Sequence, residues 1–141
     1  MILHCNFEEL RALVAGAELL AGGVFAAPSA TVVAPIEGTA LVEALLPRLT
    51  GDLSIATLAD QRRVREAVAA ICEQLHGRLD NTVLEYNPAH EEAVNLYFDY
   101  AHARTVLNRV DRIGAEMGAM IELITGAPAT PESAETVLFP D

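Results

Sequence analysis

A seam of apolar and small residues dominates the C-terminal half of the chain. Its members alternate steps of three and four residues over roughly four heptads, the spacing of a helix that packs along other helices. They are Ala93, Leu96, Tyr100, Ala103, Leu107, Val110, Gly114, Met117, Ile121 and Ile124. Asn87 and Pro88 are typical of a helix start, and Gly126 is typical of a helix end. The pattern therefore predicts one long helix between residues 87 and 126.

A second helical stripe precedes the long helix. Thr57, with Asp60 three residues later, has the spacing of a helix start, and apolar residues then recur on one face up to a predicted end near Tyr86. They are Val64, Val68, Ile71, Leu75 and Leu79. Because only a short connection separates this helix from Asn87, we expect the two helices to form an antiparallel hairpin.

The first twenty residues predict a strand followed by a helix. Residues 1–5 are short and mostly apolar, as in a strand, and Asn6 with Glu9 has the spacing of a capping box. The apolar residues of the helix that follows lie on one side of it, and Gly22 ends it. These apolar residues are Phe7, Leu10, Leu13, Val14, Ala17 and Leu20.

Shorter elements are predicted between the first helix and the hairpin. Residues 30–33 have the composition of a second strand, and residues 38–46 predict a short helix that Pro47 should end or kink. Residues 53–55 are either extended or a simple connector. Near the C-terminus, Thr130-Pro131 is typical of one helical turn, and Leu138 lies in an apolar triplet that we expect to contact the body of the protein.

These elements predict a mainly α fold with a minor β component. It consists of a long antiparallel helical hairpin, at 52–126, and a small N-terminal β/α segment, at 1–51, with a docked tail at 127–141, all within a single domain. A helix over 88–125 would be about 57 Å long. A compact chain of this length has a radius of gyration of about 14 Å, so such a helix would extend beyond a compact body.

A second apolar row, Val106, Ile113 and Met120, flanks the seam of the long helix. Because extended apolar stripes are rarely left exposed to water, we expect two copies to pair as a homodimer and form a four-helix bundle. Gly114 and Gly118, one turn apart, would allow helices to approach closely. The alternative is a monomer in which the first fifty residues cover the hairpin.

Composition and charge argue mainly against certain classes of binding partner. The chain has 141 residues, 52% of them hydrophobic, and a formal net charge of −11. Its nine basic residues are all arginines, and it has no lysine. Such a chain is expected to fold, and its charge repels phosphate backbones and anionic lipid, so we expect neither nucleic-acid nor membrane binding. The cysteines, Cys5 and Cys72, have no metal-ligand spacing. With no signal-peptide pattern at the start, we expect a cytoplasmic protein.

Two carboxylate-x-x-His spacings are the sharpest chemical pattern. Glu73 and His76 lie on the first helix of the hairpin, and Asp99 and His102 lie on the second. Two such pairs on neighbouring helices, with further carboxylates, are the ligands of a di-iron or di-manganese bundle site. The further carboxylates would come from Glu66, Glu92 and Glu116. At 100° per residue, however, none of the four residues lies within the apolar stripe of its helix, which favours solvated helix faces instead.

Other local patterns favour packing or ion pairs over chemistry. His4 beside Cys5 suggests a nucleophile and a base, but adjacent strand residues point to opposite faces. Four residues, Tyr86, Tyr97, Phe98 and Tyr100, cluster near the hairpin turn, where packing is favoured over a ligand pocket. Three arginines, Arg62, Arg63 and Arg65, are expected to pair with Asp60 and Glu66, although such a cluster can also bind an anion.

The leading hypothesis is therefore a non-enzymatic, acidic helical protein that dimerises and serves as an adaptor or regulator, without a cofactor. A protein partner is consistent with this role. One alternative is a ferritin-like di-metal carboxylate protein, an oxidase or metal store. A further alternative is a module that binds a small apolar ligand between its helices. No motif in the sequence identifies a pathway, a partner or a ligand.

Overall fold

The computed structural model describes residues 1–21, 39–85 and 91–138. The strands are β1 (Ile2–Leu3) and β2 (Leu53–Ser54), and the helices are α1 (Phe7–Ala21), α2 (Thr39–Leu45), α3 (Leu58–Glu85) and α4 (Glu91–Thr125). Two 3-10 turns cover Leu46–Arg48 and Ser133–Glu135. The predicted strand at 30–33 and the predicted start of the long helix at 87–88 lie outside the described residues. Among the described residues, no helix combines the length and hydropathy needed to cross a membrane.

Helices α3 and α4 form the predicted antiparallel hairpin. Gln61 Nε2 donates a hydrogen bond of 2.8 Å to the carbonyl of Val110, and toward the other end Arg78 lies 3.5 Å from Glu92. The hydroxyl of Thr57 caps α3 by accepting the N–H of Asp60 at 3.0 Å. The first four residues of the predicted α3 stripe, at 64, 68, 71 and 75, are buried. The sequence pattern thus identified the hairpin and its contact faces.

The predicted seam of α4 is buried over most of its length. Its buried members are Ala93, Leu96, Ala103, Leu107, Val110, Met117 and Ile121. Ile124 was wrongly assigned to the seam, because it is 65% exposed. Gln61, which lies against Gly114, is in the first turn of α3, so the last turn of α4 extends past the start of its partner helix. Gly126 then ends α4 in the left-handed region, with a φ of 75°.

Helix α1 packs against both helices of the hairpin. A side chain at Gly16 would overlap with Ile71 of α3, so glycine allows close approach there. Glu9 pairs with Arg109 of α4, and Arg11 lines a groove with Asp99. Because residue numbers increase along α1 while they decrease along α4, the two helices run antiparallel. The described fold is therefore a three-helix bundle that α2 extends by packing on α3.

Helix α1 packs over the side of α4 on which the predicted homodimer depended. Val106 and Ile113, two members of the second apolar row, are 0% and 8% exposed within the single chain. They lie on the side of α4 that carries Arg109, which is the side against which α1 packs. The N-terminal segment therefore covers most of the row that suggested pairing through this side of the long helix.

The side of α1 that faces the core also differs from the prediction. Phe7, expected in the buried stripe, is 75% exposed, whereas Glu9 is 2% exposed. These two residues are two positions apart and therefore about 200° apart around a helix. Since Glu9 turns inward to reach Arg109, Phe7 turns outward.

Strands β1 and β2 pair antiparallel, with Leu3 opposite Leu53. Next to this sheet, both Nη atoms of Arg48 donate to the Asp60 carboxylate at 2.9 Å. Asp60 therefore pairs with Arg48 of the 3-10 turn after α2, and not with the arginines of its own helix. The expected pairing of Arg65 within α3 is also wrong, because Arg65 lies 2.7 Å from Asp111 of α4.

The C-terminal tail touches the body of the protein beside β2. Ala134 is buried, and the N–H of Leu138 donates to the carbonyl of Ala56 at 3.0 Å. The turn that contains Ala134 starts at Thr130, whose carbonyl accepts the N–H of Ala134 at 2.9 Å. The chain after α4 therefore returns to the start of α3.

Candidate functional site

One groove lies between β1, the start of α1 and the middle of α4, and we call it the N-terminal groove. It has a volume of about 570 Å³. Ile2, Leu3 and Ile113 supply apolar lining, and Arg109 and Arg112 supply positive charge. This volume lies within the usual range of small-molecule sites, about 300–1,000 Å³.

An ion pair between a buried carboxylate and a partly exposed guanidinium forms one wall of the N-terminal groove. The carboxylate of Glu9 accepts Arg109 Nη1 at 2.7 Å on one oxygen and lies 2.7 Å from Nη2 on the other. Glu9 also accepts the N–H of Asn6 at 2.9 Å, and Asn6 Oδ1 accepts the N–H of Glu9 at 2.8 Å, which completes the predicted capping box. Arg109 Nη1 additionally donates to the carbonyl of His4 at 3.0 Å. One guanidinium thus joins β1, α1 and α4.

The charge state of Glu9 follows from these contacts. Burial by itself raises the pKa of this carboxyl group, but the hydrogen bonds from Arg109 and from the backbone of Asn6 outweigh burial, so the pKa lies below its ordinary value. Glu9 is therefore ionised at neutral pH, and its charge balances that of Arg109.

The His4–Cys5 pair does not have the geometry of an activated nucleophile. His4 Nδ1 lies 2.8 Å from Asp52, and the backbone N–H of Cys5 donates to the same carboxylate at 3.3 Å. Burial, together with the negative charge of Glu9, raises the pKa of the Cys5 thiol to about 11. The thiol is therefore protonated at neutral pH, which is the less nucleophilic form.

The structure places the two carboxylate-x-x-His pairs in different grooves. Glu73 and His76 line a groove of about 500 Å³ between α3 and α4, which we call the hairpin groove. Asp99 and His102 line another groove, together with Glu8 of α1. Among the described residues, no group of three or more His, Cys, Asp or Glu side chains lies close enough to hold a metal ion.

The rotation of α4 explains this separation. His76 faces Tyr100, with ring centroids 5.3 Å apart, and its Nδ1 lies 3.5 Å from Asp80 on its own helix. Asp99 and His102 flank Tyr100 in sequence but lie toward α1. Burial raises the pKa of Asp99, in keeping with its position in the groove beside α1. The heights of the two pairs along the hairpin match, but their directions around α4 do not.

Helix α4 also carries a second, exposed apolar face that the predicted seam does not include. We define the outer face of α4 as Val94, Tyr97, Phe98 and Ala101, which have the spacing i, i+3, i+4, i+7 of one helix side. The first three are 40%, 57% and 55% exposed, so the expected packing of Tyr97 and Phe98 is wrong. Their rings meet edge to face at 6.1 Å, outside the core. The signal was present in the sequence as a second helical repeat on the same helix.

The exposed residues that surround the outer face on α4 itself carry no negative charge. The exposed residues of α4 between positions 93 and 109 are all neutral or basic: Val94, Asn95, Tyr97, Phe98, Arg104, Thr105 and Asn108. The chain as a whole has a net charge of −11. Phe98 also lines the groove that contains Glu8 and Asp99, so the outer face is an apolar surface with carboxylates along one edge.

No protein-family model matches the chain, and neither a curated protein nor a solved structure matches it. The function is therefore inferred from the geometry of the three grooves and of the outer face.

Proposed function

We propose that this protein is a non-enzymatic helical homodimer that serves as an adaptor or regulator in the cytoplasm, with its subunits paired through the outer face of α4. The observation that carries the proposal is the exposure of two neighbouring aromatic side chains of α4, Tyr97 and Phe98, at 57% and 55%. Aromatic residues are enriched in protein interfaces, whereas charged side chains are depleted from interface cores. Two free thiols, at Cys5 and Cys72, agree with a reducing compartment.

A second copy fits this face better than a different surface of the same acidic protein would. In a two-fold interface the same patch meets itself. An antiparallel pairing centred between Tyr97 and Phe98 sets Tyr97 against Phe98 of the second copy. The same centre sets Val94 against Ala101, a larger side chain against a smaller one. Pairing through other surfaces would bring like charges together, because the protein has a net charge of −11.

The end of α3 adds apolar area at the same end of the hairpin. Leu84 is 83% exposed near the C-terminal end of α3, the end that lies toward the start of α4, as the contact of Arg78 with Glu92 shows. A stable interface needs about 800 Å² on each partner, more than four side chains supply, so the dimer uses both helices of the hairpin. This leaves the N-terminal groove, near the other end of the hairpin, open in the dimer.

Analytical ultracentrifugation across the micromolar range tests the proposal. We expect a dimer for the wild-type protein and a monomer for Phe98→Glu, because the substitution places two like charges at the centre of the interface. Leu123→Glu is a matched control, since Leu123 is 86% exposed on the same helix but lies outside the outer face. Circular dichroism checks that both variants fold, as expected for changes at exposed positions. A wild-type protein that remains monomeric throughout would refute the proposal, as would a Phe98→Glu variant that dimerises normally.

A further inference from the structure

The N-terminal groove has features that self-association does not use. Its centre on α4, near Arg112, lies about 15 residues from the middle of the outer face, roughly 22 Å along the helix axis. Ile2 is 57% exposed at the rim, whereas Leu3 and Ile113 are 2% and 8% exposed and form the inner lining. A surface of this kind accepts an apolar body several carbon atoms long.

The two arginines of this groove differ in their partners. Both Nη atoms of Arg109 are held by Glu9, and Nη1 also donates to the carbonyl of His4. Arg112, by contrast, makes no ion pair or hydrogen bond with any residue that the structure describes. The ion pair is neutral as a unit, so Arg112 leaves the groove with one unbalanced positive charge. An arginine fork suits a carboxylate because two parallel N–H groups meet its two oxygens.

We propose that the N-terminal groove binds a monocarboxylic acid with an apolar body, whose carboxylate pairs with Arg112 while the apolar body packs against Ile2, Leu3 and Ile113. Arg109 is a positioning residue, because it holds β1 and α1 against α4 and so shapes the groove.

The charge balance of the region selects a single negative charge. Asp52 lies nearby, where it accepts the N–H of Cys5, and the protein carries a net charge of −11, so a dianion such as phosphate is repelled more strongly than a carboxylate. The Cys5 thiol is protonated at neutral pH because burial raises its pKa, so it adds no negative charge to the lining. The apolar walls also favour a ligand that has carbon to bury.

Three probes with the same chain length test the proposal: octanoate, 1-octanol and octylammonium. Isothermal titration calorimetry gives the dissociation constants, and backbone amide NMR shifts locate the site. We expect octanoate to bind about tenfold more tightly than 1-octanol, the size of effect that one charge-assisted contact produces, and octylammonium to bind most weakly. The shifts should centre on residues 2–6 and 109–113. The test does not depend on the oligomeric state.

Two arginine variants separate the groove from general electrostatics. Arg112→Gln should weaken octanoate binding about tenfold while leaving 1-octanol unchanged. Arg104→Gln, an exposed arginine on the same helix that lines the hairpin groove, should bind octanoate as the wild type does. Ile2→Ser should weaken octanoate and 1-octanol alike, because it removes apolar lining from the rim.

Several outcomes would overturn the assignment. One is equal affinity for octanoate and 1-octanol, and another is octanoate binding that Arg112→Gln leaves intact. Shifts that centre on the hairpin groove would place the site elsewhere. Inorganic phosphate that binds as tightly as octanoate would show a general anion site, not one for a carboxylic acid. No detectable octanoate binding at millimolar concentration would refute the proposal directly.

Discussion

Replacing Arg109 by methionine tests the ion pair that joins α1 to α4. The Glu9 side chain is 3% exposed, lies 2.7 Å from Arg109 Nη2, and accepts hydrogen bonds of 2.7 Å from Nη1 and 2.9 Å from the Asn6 N–H. Methionine keeps an apolar stem but removes both guanidinium donors. The carboxylate would then remain buried with a single backbone hydrogen bond.

The expected loss follows from the burial of each partner. Removing one member of a buried ion pair costs about 3–5 kcal/mol, because the other charge is left unpaired. The Arg109 side chain is 38% exposed, so solvent screens the pair and water can reach the vacated position. We therefore expect a loss at the low end of that range, about 3 kcal/mol of unfolding free energy at pH 7.

The pH dependence of the unfolding free energy should differ in sign between the wild type and Arg109→Met. In the wild type the pKa of Glu9 lies below its ordinary value. Its stabilising contribution is therefore present above the unfolded pKa of about 4.3 and is lost as the pH falls through the folded value. In Arg109→Met, burial without the guanidinium should raise the pKa of Glu9. The variant should then gain stability as the pH is lowered from 7 to 5, whereas the wild type should not.

Urea denaturation at pH 7 and pH 5 measures both effects. Arg112→Met is the matched control, because Arg112 forms no ion pair among the described residues, and it should change stability by less than about 0.5 kcal/mol. In a Glu9→Gln background Arg109→Met should cost at least about 1 kcal/mol less than it does alone. A cost below about 1 kcal/mol at pH 7, unchanged at pH 5, would show that the ion pair does not hold α1 in place.

Three further predictions concern the hairpin. Leu107→Ala should lower the unfolding free energy by about 2–5 kcal/mol in urea titrations, since Leu107 is 5% exposed; a loss below about 0.5 kcal/mol would contradict its core position. Gly114→Ala should cost about 1–3 kcal/mol, because the new methyl group displaces the buried glutamine amide of α3. Gly118→Ala, which meets nothing within 4 Å, should instead stabilise by about 0.5–1 kcal/mol, and equal effects at the two glycines would refute this reading. The double variant His76→Ala/His102→Ala should change stability by less than about 1 kcal/mol; stoichiometric iron, manganese or zinc that is present in the wild type and lost in the variant would support the di-metal alternative.

The sequence by itself determined the parts of this fold that depend on near neighbours along the chain. The apolar repeats of α3 and α4, the Asn6–Glu9 capping box and the turn at Gly126 each depend on residues within one or a few helical turns. Hydrogen bonds and side-chain contacts over that distance form in almost any tertiary setting. The hairpin could be predicted for the same reason, because each of its helices is defined by an apolar repeat along its own sequence.

Tertiary structure alone decided which face of a helix turns inward when more than one is eligible. The sequence pattern assigned Glu9 only to the capping box of α1, yet Glu9 is also buried because Arg109, 100 residues away, supplies the donors that an isolated carboxylate lacks. Phe7 is consequently exposed. No periodicity within α1 contains that information, since the partner belongs to another helix.

The same reason applies to the candidate sites. Helix α4 carries apolar residues on two sides, and only the packing of α1 and α3 shows that the seam is covered while Tyr97 and Phe98 are not. The metal candidates show the same limit. The spacing within each helix places a carboxylate and a histidine on one face, but it does not determine how the two helices are rotated relative to each other. A repeat determines which residues share a face, but the free energy of burying one face against another depends on the partner surfaces, which the fold brings together from distant parts of the chain.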